Sequence, residues 1–272
     1  MSDPSHLPAH GSRPEGIRLG GANEEQATAR YVREMFSGIA GRYDFLNHLL
    51  SFQMDRHWRR VVARQFRHRL VEPGARVLDL CCGTADLALA LSRQEARQRQ
   101  SRQSQALQSQ AQFVCSDFSH PMLTRAGEKL RQRSLPPLVA EADALQLPFR
   151  DGSFDLVVCS FGFRNLANYR AGLAEIQRVL RPGGEIGILE FSEPQGFLKP
   201  FYSFYFHHIL PRVGAWVSGV KGPYNYLPTS VDRFPEPEEL VDWMRQASFA
   251  EPRVRRLTGG LVTLYLGSKG SE

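Results

Sequence analysis

The stretch from Arg76 to Leu91 constrains the fold of this chain more than any other. Glu72-Pro73-Gly74 breaks the chain, and Arg76-Val77-Leu78-Asp79-Leu80 follows as a short apolar run of the kind that forms a buried strand. Cys82-Gly83-Thr84 then turns the backbone into a helical pattern over Asp86–Leu91. Strand, glycine turn and helix in that order make the first unit of a doubly wound sheet. The alternation continues. Strands are expected at Gln112–Ser116, Pro137–Ala142, Phe154–Ser160 and Glu185–Phe191, with helices at Pro121–Arg133 and Tyr169–Leu180. The second helix stops at Arg181-Pro182-Gly183-Gly184. A helix over Pro235–Ala247 precedes strands at Arg253–Arg256 and Leu261–Gly267, joined as a hairpin by Thr258-Gly259-Gly260. The pattern predicts an α/β, Rossmann-like three-layer sandwich, its seven-stranded and mostly parallel sheet carrying one antiparallel strand.

The flanking segments read differently. Residues 1–22 have the Pro/Gly/Ser/His composition of a flexible tail, and Glu24–Phe66 is helical in pattern, with Tyr31, Met35, Phe36 and Ile39 at helical spacings. Residues 93–112 hold eight glutamines, four arginines and one leucine, the composition of a tolerated insert that extends a helix or loops over the surface. One domain is therefore expected over 23–269, interrupted by that insert.

Composition excludes several classes. The formal charge is +6, from 34 Lys+Arg against 28 Asp+Glu, yet the only lysines are Lys129, Lys199, Lys221 and Lys269. The arginines are scattered, without the dense basic block of a nucleic-acid arm, so no nucleic-acid partner is expected. No uncharged apolar run approaches the roughly 18–20 residues of a membrane-spanning helix, and the first twenty residues lack the apolar core of a signal peptide. A cytoplasmic protein is the expectation. Cys81 and Cys82 are adjacent, Cys115 and Cys159 are isolated, and no C-x-x-C pair suggests a disulfide framework or a metal site.

The turn after the first strand suits an adenosine-containing ligand. A dinucleotide fingerprint needs glycine at three positions; Gly83-Thr84-Ala85-Asp86-Leu87-Ala88 keeps only the first. Asp86 there disfavours a pyrophosphate, whereas the sulfonium and ammonium of S-adenosylmethionine are cationic. Asp117 closes the second strand, where a carboxylate accepts hydrogen bonds from both ribose hydroxyls. It lies 34 residues beyond Gly83, and removing most of the Gln-rich insert restores the usual ~20.

Several motifs together resemble class I S-adenosylmethionine-dependent methyltransferases. They are Asp79-Leu-Cys-Cys-Gly83-Thr-Ala-Asp86, Asp117-Phe-Ser, Asp143-Ala144 before Leu147-Pro148-Phe149, and Leu180-Arg-Pro-Gly-Gly184. Tyr43-Asp44-Phe-Leu-Asn47-His-Leu-Leu50-Ser51 with Trp58 narrows the likeness to the quinone C-methyltransferases of ubiquinone and menaquinone biosynthesis. Arg178 to Ser192, Phe161-Gly-Phe-Arg164-Asn165 and Leu257-Thr-Gly-Gly260 agree. The chain departs from that family's pattern at Ala85 (usually glycine), Asp55 (usually histidine) and Gln53 (usually glycine). Cys81-Cys82, in place of Ala-Gly, is similar to members from oxygenic phototrophs, whose acceptor is the phytylated naphthoquinone precursor of phylloquinone.

The resemblance implies S-adenosylmethionine contacts at Thr84, Asp117, Asp143, Ala144 and Ser160, with Asp79 and Gly83 shaping the pocket. Asp143 is expected to accept from the adenine amino group. It implies C-methylation of a prenylated naphthoquinol to phylloquinol, with demethylmenaquinol or a polyprenyl-benzoquinol as alternative acceptors. A dinucleotide-dependent oxidoreductase and a non-catalytic S-adenosylmethionine-binding protein are the alternatives from other classes. Arg164 and Asn165 follow the fourth strand at the carboxyl edge of the sheet, where such sheets bind ligands. Arg164 is the candidate for stabilising a developing phenolate, Asn165 for holding a ring oxygen, and Tyr43 with Asn47 for covering the substrate. The aromatic stretch Phe197–Val217, with Arg212 and Lys221, reads either as core or as a groove for an isoprenoid chain. In the second case it touches an anionic inner or thylakoid membrane peripherally.

Overall fold

The computed structural model describes residues 24–41, 43–101, 110–194, 204–205, 212 and 222–271. The expected tail at 1–22, most of the aromatic stretch Phe197–Val217, and Lys221 lie outside the described residues.

Seven strands form one sheet in the order β3-β2-β1-β4-β5-β7-β6. These are β1 (Arg76–Leu80), β2 (Gln112–Asp117), β3 (Val139–Glu141), β4 (Phe154–Ser160), β5 (Leu180–Phe191), β6 (Phe249–Leu257) and β7 (Val262–Lys269). All neighbours pair parallel except at β7, which runs antiparallel to both β5 and β6. The expected sheet with one antiparallel strand is the sheet observed. Its strand order reverses between β1 and β4, and the carboxyl ends of those two strands flank the crevice where open α/β sheets bind ligands.

Helices cover both faces. On one side α3 (Met54–Gln65), α4 (Asp86–Ser101) and α5 (His120–Gln132) bury Trp58, Val62, Leu87, Leu91, Ala126 and Leu130 against Val77, Cys115 and Val158. On the other, α6 (Tyr169–Val179) and α8 (Pro237–Gln246) bury Leu173, Ile176, Leu240 and Met244 against Leu78, Val157 and Ile188. The strict alternation of these contacts along β1 and β4 is what a period-two side-chain pattern dictates. Asn168 starts α6 by accepting from the Ala171 N–H at 3.0 Å. Gly187 is required at the middle of β5, since a Cβ there would stand 2.5 Å from the Phe66 ring.

Three elements differ from expectation. The helical stretch 24–66 is three helices, α1 (Glu24–Ile39), α2 (Tyr43–Leu50) and α3, broken where Phe52 and Gln53 take positive φ. Strand β5 begins at Leu180, not Glu185. Phe154 pairs with Leu180 and Leu156 with Glu185, so Arg181-Pro182-Gly183-Gly184 is looped out as an irregularity within the strand. The sequence stops a helix there because Gly183 needs φ +72, but the chain re-enters the sheet at once. A helix α7 (Gly222–Asp232) had no sequence signal, because Pro228 lies inside it and a glycine begins it. Of the Gln-rich insert, residues 93–101 extend α4.

Candidate functional site

A cavity of about 230 Å³ opens at the carboxyl ends of β1, β2 and β4. Of the sequence-derived candidates, Tyr43, Gly83, Asp117, Asp143, Ala144 and Asn165 line it. Arg164, Asp79, Thr84 and Ser160 are not among its lining residues. Ser116, Cys81, Phe36, Phe118, Met122, Phe161, Gly162 and Leu166 are, and sequence reasoning assigned none of them a role in the site. Phe118 and Cys81 sit inside motifs already recognised, so adjacency to Asp117 and Gly83 was the available signal.

The turn after β1 is built from residues in the left-handed region. Cys81 has φ +51, Gly83 φ +53 and Ala85 φ +66. Ala85, where the family usually has glycine, holds this conformation with its methyl group fully buried in the core and away from the cavity lining. Asp117 links this turn to the second strand. Its Oδ2 accepts from the Gly83 N–H and its Oδ1 from the Ser119 N–H, both at 2.9 Å. Burial pushes its carboxyl up to about 6 against the opposing pull of the Ser119, Gly83 and Phe118 amides. Each oxygen keeps a further acceptor position, and the unpartnered, buried Ser116 Oγ stands on the same wall. This acceptor pair, with apolar Phe118, Met122, Ala142 and Leu145 beside it, fits the ribose and adenine of an adenosyl ligand. Asp143 is exposed and accepts from the Leu145 N–H at 2.9 Å.

Asp79 lies below the turn. Its Oδ2 accepts from the Ala88 N–H at 2.9 Å, tying β1 to α4, while Oδ1 has no partner. Full burial raises its carboxyl to about 8, so it is largely protonated at neutral pH. It shapes the turn from beneath. Ser160, at the end of β4, has a buried hydroxyl without a partner.

Asp86 overturns the electrostatic argument made from its position. It points away from the cavity into a cluster where Lys129 pairs with it and Arg59 lies 3.8 Å away. Burial pushes its carboxyl up, but Arg59 and Lys129 hold it below the usual value. Its charge is therefore spent on the protein's own cations and does not select a cationic ligand. Thr84 joins the same cluster. Lys129 donates to its Oγ1 at 3.0 Å and to Asp44 at 2.9 Å, so these groups clamp α2 over the turn. Asp55 accepts from Ser51 at 2.8 Å, lies 2.7 Å from His48 Nδ1 and pairs with Arg59, which explains an acid at that position as a staple between α2 and α3.

Arg164 is also engaged. It is 6% exposed; its guanidinium pairs with the fully buried Glu190 at 2.8 Å and donates to Ser230 Oγ at 3.2 Å. It packs over the Phe191 ring, and its backbone N–H donates to Glu190 at 3.0 Å. This is an internal strut joining the turn after β4 to β5 and α7. Asn165 faces the cavity with its Oδ1 accepting from the Tyr226 hydroxyl at 3.1 Å, which leaves its amide donors to the cavity side. Tyr43 is hydrogen-bonded to Asn47, and burial raises its hydroxyl above the ordinary value while Arg164 partly offsets this, so it is neutral at physiological pH.

Gly162 sets the cavity's back wall. A Cβ there would meet the Cys81 Cβ at 2.5 Å and the Cys81 carbonyl at 3.2 Å. Gly162→Ala is therefore expected to displace the Cys81 turn, lowering thermal stability by ~1–3 kcal/mol and weakening cofactor binding about tenfold or more. Thermal melts and calorimetric titration check this; wild-type values in both would show that the wall yields.

A model described as the ubiE/COQ5 methyltransferase family matches residues 23–269. A demethylmenaquinone methyltransferase of Deinococcus radiodurans is 44% identical over 247 residues, covering 90% of this chain and 95% of its own. One of Thermus thermophilus is 44% identical over 236 residues, covering 86% and 100%. A ubiquinone/menaquinone biosynthesis C-methyltransferase of Geobacter sulfurreducens is 40% identical over 242 residues, covering 88% of each. Among solved structures, the [4+2]-cyclase SpnF superposes with TM-score 0.60 at 17% identity, covering 94% of this chain and 100% of that one. A SAM-dependent methyltransferase from Aquifex aeolicus gives 0.51 at 16%, covering 75% and 87%. The structural likenesses establish the fold alone, and a cyclase on this fold shows that architecture does not specify chemistry. The family match and near-full-length identity do: this chain belongs to the ubiE/COQ5 methyltransferase family and is an S-adenosylmethionine-dependent methyltransferase.

Proposed function

We propose that the protein methylates a ring carbon of demethylmenaquinol, the reduced naphthoquinone precursor of menaquinone. The observation that carries this reading is the 44% identity, across nearly the whole chain, to two relatives named demethylmenaquinone methyltransferases. It replaces the phytylated acceptor expected from Cys81-Cys82. Cys81 lines the cavity beside Gly83, and contact with the Cys159 thiol together with burial raises its own thiol well above the ordinary value. Both cysteines belong to the turn after β1.

Bound S-adenosylmethionine supplies a methyl group on a sulfonium centre. The ring carbon that receives it must be electron-rich, which the quinol is and the quinone is not. The chain's residues orient and enclose. Asp117 accepts from the ribose hydroxyls, with Gly83 and Ser116 against the same portion and Asp143 and Ala144 against the adenine. Asn165 donates an amide proton to a ring oxygen of the acceptor, and its hydrogen bond with Tyr226 fixes the direction of that amide. Tyr43, neutral and half-buried, closes the cavity from α2 and excludes water. Thr84 and Asp79 hold the turn without touching the ligand, and Arg164 fixes the backbone from which Asn165 projects.

Incubation with labelled S-adenosylmethionine and chemically reduced acceptors tests this. Label is expected in demethylmenaquinol, with kcat/KM at least about tenfold above that for a demethylated benzoquinol; a matched 2-phytyl-1,4-naphthoquinol reads out the tail. Cofactor binding without methyl incorporation into any quinol would sink the proposal, and preference for the benzoquinol would move it to the ubiquinone branch.

A further inference from the structure

A strongly charged groove of about 510 Å³ lies outside the cavity, among α2, α3, α4 and α5. Arg56, Arg60 and Arg64 of α3, Arg93 and Arg97 of α4, and Arg133 just past α5 line it. All six are exposed, and none has a carboxylate partner among the described residues. Their spacing of four along α3 and along α4 puts each set on one helix face. Deeper in the groove, Arg59 and Lys129 are balanced by Asp55, Asp86 and Asp44. The uncompensated charge is therefore all at the rim.

A second observation lies on the same helices. At the α2–α3 corner Leu49 is 43% exposed and Phe52 74% exposed, one helical turn before Arg56. Phe52 has φ +50, a backbone state that bulky residues avoid, and its ring is held outward against Tyr205 at 5.7 Å between centroids. Tyr205 in turn donates to the Leu50 carbonyl at 2.9 Å. An aliphatic and an aromatic tip beside a row of unpaired arginines is the composition of a surface that enters a lipid interface. Phosphates of a nucleic acid would satisfy the arginines but not Leu49. No helix among the described residues is long and apolar enough to cross a membrane, so contact here is from one side.

We propose that the α2–α3 corner and the arginine-lined groove form a docking face for an anionic phospholipid surface. Leu49 and Phe52 enter the acyl region, and the rim arginines meet headgroup phosphates. The benefit of docking rests on the reading of the acceptor as lipid-soluble. The same eight-residue helix carries Tyr43 on the cavity wall and Leu49 at the tip, so a docked molecule holds its cavity next to the bilayer.

The test is co-sedimentation of the full chain with vesicles of phosphatidylglycerol and phosphatidylcholine in equal parts, against pure phosphatidylcholine. Binding is expected to be at least ~10-fold tighter to the anionic vesicles and to be lost at about 0.5 M salt. The triple variant Arg56→Glu, Arg60→Glu, Arg93→Glu is expected to bind ~100-fold more weakly. Phe52→Asn, which accepts the left-handed backbone, should lose roughly tenfold. Both variants should turn over a short-chain, water-soluble demethylnaphthoquinol at the wild-type rate, which shows them folded. Absence of that turnover in the wild type refutes the functional reading and leaves the docking result standing. Equal binding of wild type and triple variant to anionic vesicles overturns the docking proposal. So does an RNA oligonucleotide that binds the wild type more tightly than the vesicles do and fails to bind the triple variant.

Discussion

Replacing Asp117 with alanine will cost at least about two orders of magnitude in S-adenosylmethionine affinity. A hydrogen bond to a charged acceptor contributes ~1.5–3 kcal/mol, two are removed, and each 1.4 kcal/mol is about tenfold. The same substitution strips the acceptor from the Gly83 and Ser119 amides, so the turn that forms the cavity floor loosens as well. Asp117→Asn separates these effects, since it keeps one acceptor oxygen and the side-chain shape; an intermediate loss is expected. The pH dependence gives an independent check. Burial raises this carboxyl to about 6, so cofactor affinity should be level above about pH 7 and fall below pH 6 as the group takes up its proton. The apo protein should respond in the opposite sense. A carboxyl raised on folding contributes stability below its unfolded value near 4, and that contribution is lost as pH rises through about 6. Near pH 6, binding should therefore release a proton, measurable by calorimetry in buffers of different ionisation enthalpy. Alanine and wild-type proteins with equal affinity would remove Asp117 from the site.

Arg164→Ala is expected to act on stability before it acts on chemistry. Glu190 is fully buried, and Arg164 is its ion-pair partner. Removing one member of such a pair costs ~3–5 kcal/mol because the other charge is left uncompensated, which for a chain of this size is a fall in Tm of roughly 6–20 °C. The double variant Arg164→Met, Glu190→Gln removes both charges while keeping an acceptor oxygen for one of the two backbone amides, Arg164 or Phe191, that bond the separate oxygens of Glu190. It should recover more than half of the lost stability. A single variant that melts like wild type but turns over a hundredfold more slowly would restore Arg164 to a direct catalytic role.

These two residues also show what was legible in the sequence. The position of Asp117 beside the cavity was legible because it depends on local features, the end of a strand and a glycine turn at the neighbouring strand's edge. Arg164 was correctly placed at the carboxyl edge of β4, but its direction was not readable. The groups that capture it, Glu190 and Ser230, lie 26 and 66 residues further along the chain. Asp86 failed for the same reason: Lys129, which neutralises it, is 43 residues away. The sheet was legible because apolar runs and glycine breaks recur at regular spacing. Helix α7 was not, since its stability comes from what it packs against and not from its own residues.

That last point bears on how the molecule breathes. Tyr226 of α7 and Val32 of α1 share a small apolar cluster with Met35, Phe36 and Phe118, separate from the two clusters that sandwich the sheet. Helices that share only a small core, one of them with a proline inside it, open together at a lower free energy than the main core. Amides of α1 and α7 should thus form one fast-exchanging cooperative unit, distinct from the slow amides of β1, β4 and β5. Because Phe36 lines the cavity and Tyr226 holds Asn165, opening of that unit would uncover the cavity while the sheet stays closed.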